Sequence, residues 1–199
     1  MKAGTFWTCS KPAGLAPCLF MGIALVLSAP GCDREDVTST DDISDGSGLN
    51  DTHAAVYVDA SAGSDSHDGS SPTCKGYGIG PKKTIQAGLD VTPVNGICRV
   101  APGVYCEQIT MAEGVTLAGA GAEKTFIDGG NLQGNVISIR DCNAPQTVVY
   151  GFTIRNGSCY GDNAGIRIQD SGNVLIRNNV ITANKADGIR VYSASAMIV

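Results

Sequence analysis

The second half of the chain repeats short runs in which apolar and polar residues alternate. The Gly-Ile-Arg-Ile run of residues 165–168 recurs as Gly-Ile-Arg-Val at residues 188–191, an offset of 23. Residues 153–157 recur more loosely at residues 180–184, an offset of 27. Such alternation points one set of side chains inward and the other outward along a β-strand. The two offsets differ by four residues, which four extra residues in the first copy, near positions 158–163, would explain.

A repeat of between 20 and 30 residues, with the alternation of apolar and polar positions typical of β-strands, predicts a solenoid. In a solenoid each coil buries its apolar face on its neighbours. We therefore predict an all-β fold, a parallel β-helix whose repeats occupy residues 114–199. Leucine-rich repeats have a similar period, but their Leu-x-x-Leu-x-Leu frame is absent. A β-sandwich is the structural alternative. Because residues 196–199 stop inside a predicted strand, we expect the repeats to be incomplete.

Residues 55–113 are predicted to form an N-terminal cap and the first coil. A short strand at residues 56–58 precedes a turn-rich stretch, and an apolar pattern at residues 85–89 fits a short helix ended by Thr92 and Pro93. A helix is useful here because the first coil would otherwise expose an unpaired backbone edge and an apolar interior.

Five short runs follow one another in this region: Tyr57-Val58-Asp59, Gly63-Ser64-Asp65, residues 81–86, residues 100–105 and residues 117–121. In this order they resemble the head of bacterial pectin-lyase-like right-handed parallel β-helix proteins. The resemblance implies a right-handed coil closed by a short N-terminal helix. Relatives with this fold include polysaccharide lyases, hydrolases and esterases. None of their catalytic constellations carries over residue by residue, so whether the chain is an enzyme stays open.

Residues 1–31 have the features of an export signal. Lys2 and Lys11 form a basic start, and residues 15–27 are apolar but too short to span a bilayer. The run that ends in Gly31-Cys32 resembles a bacterial lipoprotein cleavage site, although Ala29 and Pro30 depart from the usual pattern. The resemblance implies that Cys32 becomes a diacylated first residue at the bacterial cell envelope. Ordinary secretion is the alternative.

Residues 32–54 are predicted to form an acidic, disordered tether. Arg34 is the one cation among seven carboxylates, which are Asp33, Glu35, Asp36, Asp41, Asp42, Asp45 and Asp51. Such a segment cannot bury enough apolar surface to offset its ordering entropy. We expect it to stay solvated and to hold the folded part off the membrane.

The overall charge and the cysteines restrict the possible partners and compartments. The formal charge is −5, which does not favour a nucleic-acid partner. Five cysteines remain beyond Cys32 in the mature chain, and disulfides suit an oxidising compartment. The closest pairs in sequence are Cys98 with Cys106 and Cys142 with Cys159, but the sequence leaves the connectivity open. Zinc is disfavoured because there is no C-x-x-C motif.

Two arginines are the main candidates for binding chemistry. Arg167 and Arg190 occupy equivalent places in successive copies, between inward apolar residues. Neighbouring guanidinium groups suit a carboxylate or sulfate, which predicts a groove for an acidic polysaccharide. Asp170 and Asp187 flank the same strands, and the alternative is that they neutralise the arginines on a solvated face.

No cofactor is predicted, apart from a weak calcium candidate at Asp65 and Asp68, where a turn is the alternative role. The sequence thus indicates an exported surface lipoprotein that binds glycans or acts as a structural or adhesive spacer. A polysaccharide lyase or glycoside hydrolase is the second hypothesis. A non-functional fragment of such a protein is the third. The membrane is expected to be a partner through the lipid alone.

Overall fold

A computed structural model describes residues 54–158 and 163–199 of the chain. The predicted signal peptide, the lipidation site Cys32, the tether up to His53, and Cys159 therefore lie outside the described residues. The described part begins with a strand, a cap and a helix, and then continues as strands alone. The elements are β1 (Ala55–Val58), α1 (Ile85–Val91), β2 (Ile97–Val100), β3 (Gly103–Tyr105), β4 (Ile109–Thr110), β5 (Thr116–Gly119), β6 (Thr125–Asp128), β7 (Ile137–Arg140), β8 (Thr147–Tyr150), β9 (Thr153–Arg155), β10 (Ala164–Gln169), β11 (Val174–Arg177), β12 (Val180–Thr182), β13 (Asp187–Tyr192) and β14 (Ala196–Ile198).

The strands form three parallel sheets, and the chain visits each sheet once per coil. The six-stranded sheet has the order β1-β2-β5-β8-β11-β14, and the two four-stranded sheets are β4-β7-β10-β13 and β3-β6-β9-β12. All strand pairs within these sheets are parallel and join elements of successive coils. This arrangement confirms the predicted all-β parallel β-helix and excludes the sandwich alternative.

The core consists of apolar residues that stack in columns along the coil axis. In the sheet β4-β7-β10-β13, one column contains only isoleucine: Ile109, Ile137, Ile166 and Ile189 are direct partners in register. The first three are 1% exposed or less, and Ile189 is half-buried in the last coil. Burying an aliphatic side chain stabilises a fold by about 1.5–3 kcal/mol, so these columns are the main source of stability.

Both repeat offsets in the sequence correspond to strand pairs in the structure. Ile166 pairs with Ile189 and Arg167 with Arg190, at an offset of 23. Ile154 pairs with Ile181, at an offset of 27. The two offsets differ because the turn from β9 to β10 is longer than the turn from β12 to β13.

The predicted capping helix is confirmed, with Thr84 as its N-cap and Thr92 as its C-cap. The Thr84 side chain accepts a hydrogen bond from the Ala87 N–H, which satisfies one of the free donors of the first turn. Gly88 lets the helix approach the first coil closely, because a Cβ there would lie 2.4 Å from the Val58 side chain.

Two asparagines connect successive coils at the turns in the same way. The side-chain oxygen of Asn179 accepts the Phe152 N–H, and its amide donates to the Val149 carbonyl. Asn184 repeats this pattern one turn later, with Gly157 and Ile154 as its partners. Each asparagine therefore satisfies two backbone groups of the preceding coil that a turn would otherwise leave unpaired.

Both disulfide pairings suggested by sequence proximity are wrong, since Cys98 and Cys142 are free thiols. Cys98 points inward on β2, stacked between Val56 and Leu117, where it packs as a small apolar residue. Burial raises the pKa of its thiol to about 12. Cys106 follows β3 on the exposed side and is disulfide-bonded.

Candidate functional site

The outer face of the sheet β4-β7-β10-β13, which we call the arginine face, collects polar side chains in rows. The first row contains Thr110, Ser138, Arg167 and Arg190, which are direct partners in register on successive strands. Because neighbouring strands are about 4.8 Å apart, the two arginines emerge side by side. The structure thus confirms that Arg167 and Arg190 lie next to each other.

A second row runs parallel to the first, two residues further along each strand. It consists of Arg140, Gln169 and Tyr192, again paired in register. Arg140 is exposed and Tyr192 is 61% exposed, whereas Gln169 is half-buried between them. A cation, an amide and an aromatic ring therefore follow one another along the axis.

The two aspartates predicted beside the arginines have different roles. Asp187 accepts a hydrogen bond from the Arg190 Nε at 2.6 Å and forms an ion pair with that guanidinium. Asp170 accepts a hydrogen bond from the Gln169 amide at 3.0 Å, and its backbone adopts a left-handed conformation in the turn after β10. For Arg190, the alternative interpretation is therefore correct, because Asp187 neutralises the charge of its guanidinium. Since both partners are partly exposed, such a pair contributes little to stability.

A polar depression of about 400 Å³ adjoins the second row at the turn between this sheet and the next. Its lining consists of Asn143, Asp170, Ser171, Gly172, Ser193, Ala194 and Ser195. The turns of three successive coils contribute these residues, because Arg140, Gln169 and Tyr192 end the strands directly before them. Hydroxyl, amide and carboxylate groups in one depression are hydrogen-bonding partners that suit sugar hydroxyls.

The sequence did not predict the second row, which is Arg140, Gln169 and Tyr192, or the serine-lined depression. A signal for the row existed, because residues 137–140 and 166–169 both read Ile-x-Ile followed by a polar residue. Its offset of 29 differs from the 23 and 27 found elsewhere, since the turns of each coil differ in length. The depression left no comparable signal, because its serines and glycine are ordinary turn residues.

The weak calcium candidates serve the backbone of the cap. Asp65 accepts hydrogen bonds from the N–H groups of Lys83 and Thr84. Asp68 accepts them from the N–H groups of Ser70 and Gly80. Both aspartates therefore stabilise turns, which is the role predicted as the alternative to calcium binding. Within the described ranges, no three His, Cys, Asp or Glu side chains are grouped so that they could hold a metal ion.

A buried carboxylate fixes the long turn that leads from β6 to β7 of the arginine face. Asp128 is 7% exposed and accepts hydrogen bonds from Arg155, Asn156 and the Gly130 N–H. Burial alone would raise its pKa, but the hydrogen bonds from Asn156, Gly130 and Arg155, together with the charge of Arg155, lower the pKa below its usual value.

This lowered pKa predicts a pH-dependent contribution to folding. The contribution is complete above the usual aspartate pKa of about 3.9 and is lost as the pH falls through the lower pKa of the folded state. We expect the urea midpoint of the wild type to fall more steeply below pH 4 than that of Asp128→Asn. Parallel pH profiles for the two proteins, measured by urea unfolding, would contradict this role.

Comparison with known proteins supports the fold. Residues 106–199 match the family model described as right handed beta helix region. No curated protein matches the chain. In the part that the structure describes, no helix is long and apolar enough to cross a membrane. The matched range contains the whole arginine face, and together with the strand pairing it identifies these coils as a right-handed parallel β-helix.

Proposed function

We propose that this chain is an exported lipoprotein whose β-helix binds an acidic polysaccharide on the arginine face. The observation that carries the proposal is the in-register pairing of Arg167 with Arg190 on neighbouring strands, beside the row of Arg140, Gln169 and Tyr192. Guanidinium groups bind carboxylates through paired, charge-assisted hydrogen bonds. A polymer with one carboxylate per sugar offers such groups at regular intervals.

The spacing of the coils suits a polymer that runs along the solenoid axis. Equivalent side chains recur about every 4.8 Å, which is comparable to the length of one sugar ring in an extended chain. Successive carboxylates would then meet Arg167 and Arg190. The exposed ring of Tyr192 offers an apolar surface for a sugar face, and the serine-lined depression offers partners for hydroxyl groups.

The proposed location rests on two further observations. A basic and then apolar segment leads to Gly31-Cys32 and resembles a lipoprotein signal, although Ala29 and Pro30 depart from the usual pattern. Cys106 is disulfide-bonded, and disulfides persist in oxidising compartments outside the cytosol. Both support export, and a diacylated Cys32 would hold the β-helix at the membrane surface.

Removal of the arginine pair tests the binding proposal. Hydrogen bonds to charged groups contribute about 1.5–3 kcal/mol each, so Arg167→Ala with Arg190→Ala should weaken binding of polygalacturonate by roughly tenfold or more. The measurement is affinity electrophoresis or calorimetry at fixed ionic strength. Lys75→Ala with Lys124→Ala is the matched control, because it removes the same charge from exposed positions elsewhere.

Equal binding by both double variants, or equal binding of a neutral glucan, would overturn the proposal. Release of unsaturated sugar products during the assay would show that the chain is a lyase rather than a binding protein alone. Folding of each variant is checked by thermal unfolding, since the outward arginines should leave the buried columns intact.

The mass of the mature protein tests the lipid anchor. We expect the exported chain to begin at Cys32 and to carry a diacylglyceryl group, and Cys32→Ser to abolish both the added mass and membrane association. An unmodified chain that begins at another residue and remains in the aqueous fraction would instead establish ordinary secretion.

A further inference from the structure

Strands β7, β10 and β13 of the arginine face, with the residue that follows each of them, carry as many aspartates as arginines. The members of this set are Arg140, Arg167, Arg190, Asp141, Asp170 and Asp187. These three strands and the positions directly after them therefore have no net charge. A polymer that carries only carboxylates would meet repulsion here as well as attraction.

Asp141 and Asp170 form a row at one edge of this face, which we call the acidic row. Each directly follows a member of the second row, Arg140 or Gln169, and these two residues pair in register. The Asp141 N–H donates to the Gln169 carbonyl, and the Asp170 N–H donates to the Tyr192 carbonyl. Both aspartates have a left-handed backbone, with φ of 55° and 49°. Because the two turns are alike, their side chains begin about 4.8 Å apart on neighbouring coils.

Both carboxylates of the acidic row are accessible to a ligand. Asp141 and Asp170 are exposed. Within the described residues, the Asp141 carboxylate accepts no hydrogen bond, and the Asp170 carboxylate accepts one, from the Gln169 amide. Neither forms an ion pair with a described cation, although Arg140 directly precedes Asp141. Most of the hydrogen-bonding capacity of the two carboxylates therefore remains for a ligand.

The serine-lined depression places Asp170 among neutral hydroxyl groups. Its lining includes Asp170, Ser171, Ser193 and Ser195, and no lysine or arginine belongs to the described lining. An ammonium group is a compact cation with three N–H donors, so a carboxylate surrounded by hydroxyl oxygens can satisfy it. A ligand carboxylate at this position would meet a like charge. The depression therefore suits an amino group of a sugar better than a second acid.

We propose that the ligand of the arginine face is a zwitterionic polysaccharide, whose carboxylates pair with the arginines and whose amino groups pair with the acidic row. This ligand class rests on the proposed function, because it narrows the polymer that the arginine face binds. Asp170 follows Arg167 by three residues, which is about 10 Å of extended chain. A polymer along the coil axis would then have its carboxylates on one flank and its amino groups on the other.

The left-handed turns offer a second reason for the two aspartates, and a substitution separates the two roles. Aspartate and asparagine are both favoured where φ is positive. Asp141→Asn with Asp170→Asn therefore retains the turns and removes two charges. If the aspartates served turn geometry alone, this variant would bind every polymer as the wild type does.

Two forms of one polymer test the ligand class. Hyaluronan alternates a uronate with an N-acetylated amino sugar, and N-deacetylation converts its acetamido groups into ammonium groups. Binding is measured by calorimetry at fixed ionic strength with EDTA, so that no divalent cation bridges the carboxylates. We expect the wild type to bind the N-deacetylated form about fivefold more tightly, which is the scale of two exposed ion pairs. A face that recognised negative charge alone would show the opposite order.

The charge-removing variant should change the two kinds of binding in opposite directions. Asp141→Asn with Asp170→Asn should remove the preference for N-deacetylated hyaluronan. It should also strengthen binding of polygalacturonate by a similar factor, because two repulsive charges are lost. Asp90→Asn with Glu123→Gln is the matched control, since it removes the same charge from exposed positions outside this face, and it should keep the wild-type preference.

Equal affinity of the wild type for the two forms of hyaluronan would overturn the zwitterionic ligand class, and so would a preference that survives in Asp141→Asn with Asp170→Asn. Arg167→Ala with Arg190→Ala gives the separate readout. If polygalacturonate binding depends on these arginines while the preference is absent, glycan binding stands and the narrower ligand class fails. If the wild type binds neither polygalacturonate nor either form of hyaluronan, the proposed function itself fails.

Discussion

Each inward side chain in this coil lies directly above and below the inward side chains of the neighbouring coils, at the roughly 4.8 Å separation of hydrogen-bonded strands. The isoleucine column Ile109, Ile137, Ile166 and Ile189 shows this constraint most plainly. One coil has no second layer against which to bury its apolar face, so it depends on its neighbours for both hydrogen bonds and packing. The cap helix meets the same need at the first coil.

The in-register stacking also determines which side chains lie next to each other on the outer surface of the coil. Because side chains alternate along a strand, a column of inward isoleucines fixes an adjacent row of outward residues at the same spacing. Arg167 and Arg190 are brought together in this way, and so are Arg140, Gln169 and Tyr192. A linear polymer is the kind of ligand that can use such regularly spaced groups.

The same in-register stacking explains which parts of the structure could be predicted from the sequence. The repeats at 165–168 and 188–191 gave the register of β10 with β13, since their residues alternate strictly. The offset of 29 between β7 and β10 is present in the sequence but differs from the other two offsets, because turns can lengthen without disturbing the strands they connect. The second row of the site was missed for this reason.

The cysteine pairings failed for a different physical reason. Proximity in sequence carries no information on whether a side chain points inward or outward, and Cys98 points into an aliphatic column while Cys106 lies on the exposed side. Cys142 is likewise buried, in the turn after β7, with its thiol donating to the Arg140 carbonyl. An alternation argument applied to β2 would have indicated that Cys98 is a core residue.

The most direct test of the stacked columns is a set of nuclear Overhauser contacts among isoleucine methyl groups labelled at the δ1 position. The structure predicts contacts between Ile109 and Ile137, between Ile137 and Ile166, and between Ile166 and Ile189. Pairs that skip a coil should show none, because about 9.6 Å then separates their strands. Absence of the contact between Ile166 and Ile189, or contacts in another order, would contradict the β-helix.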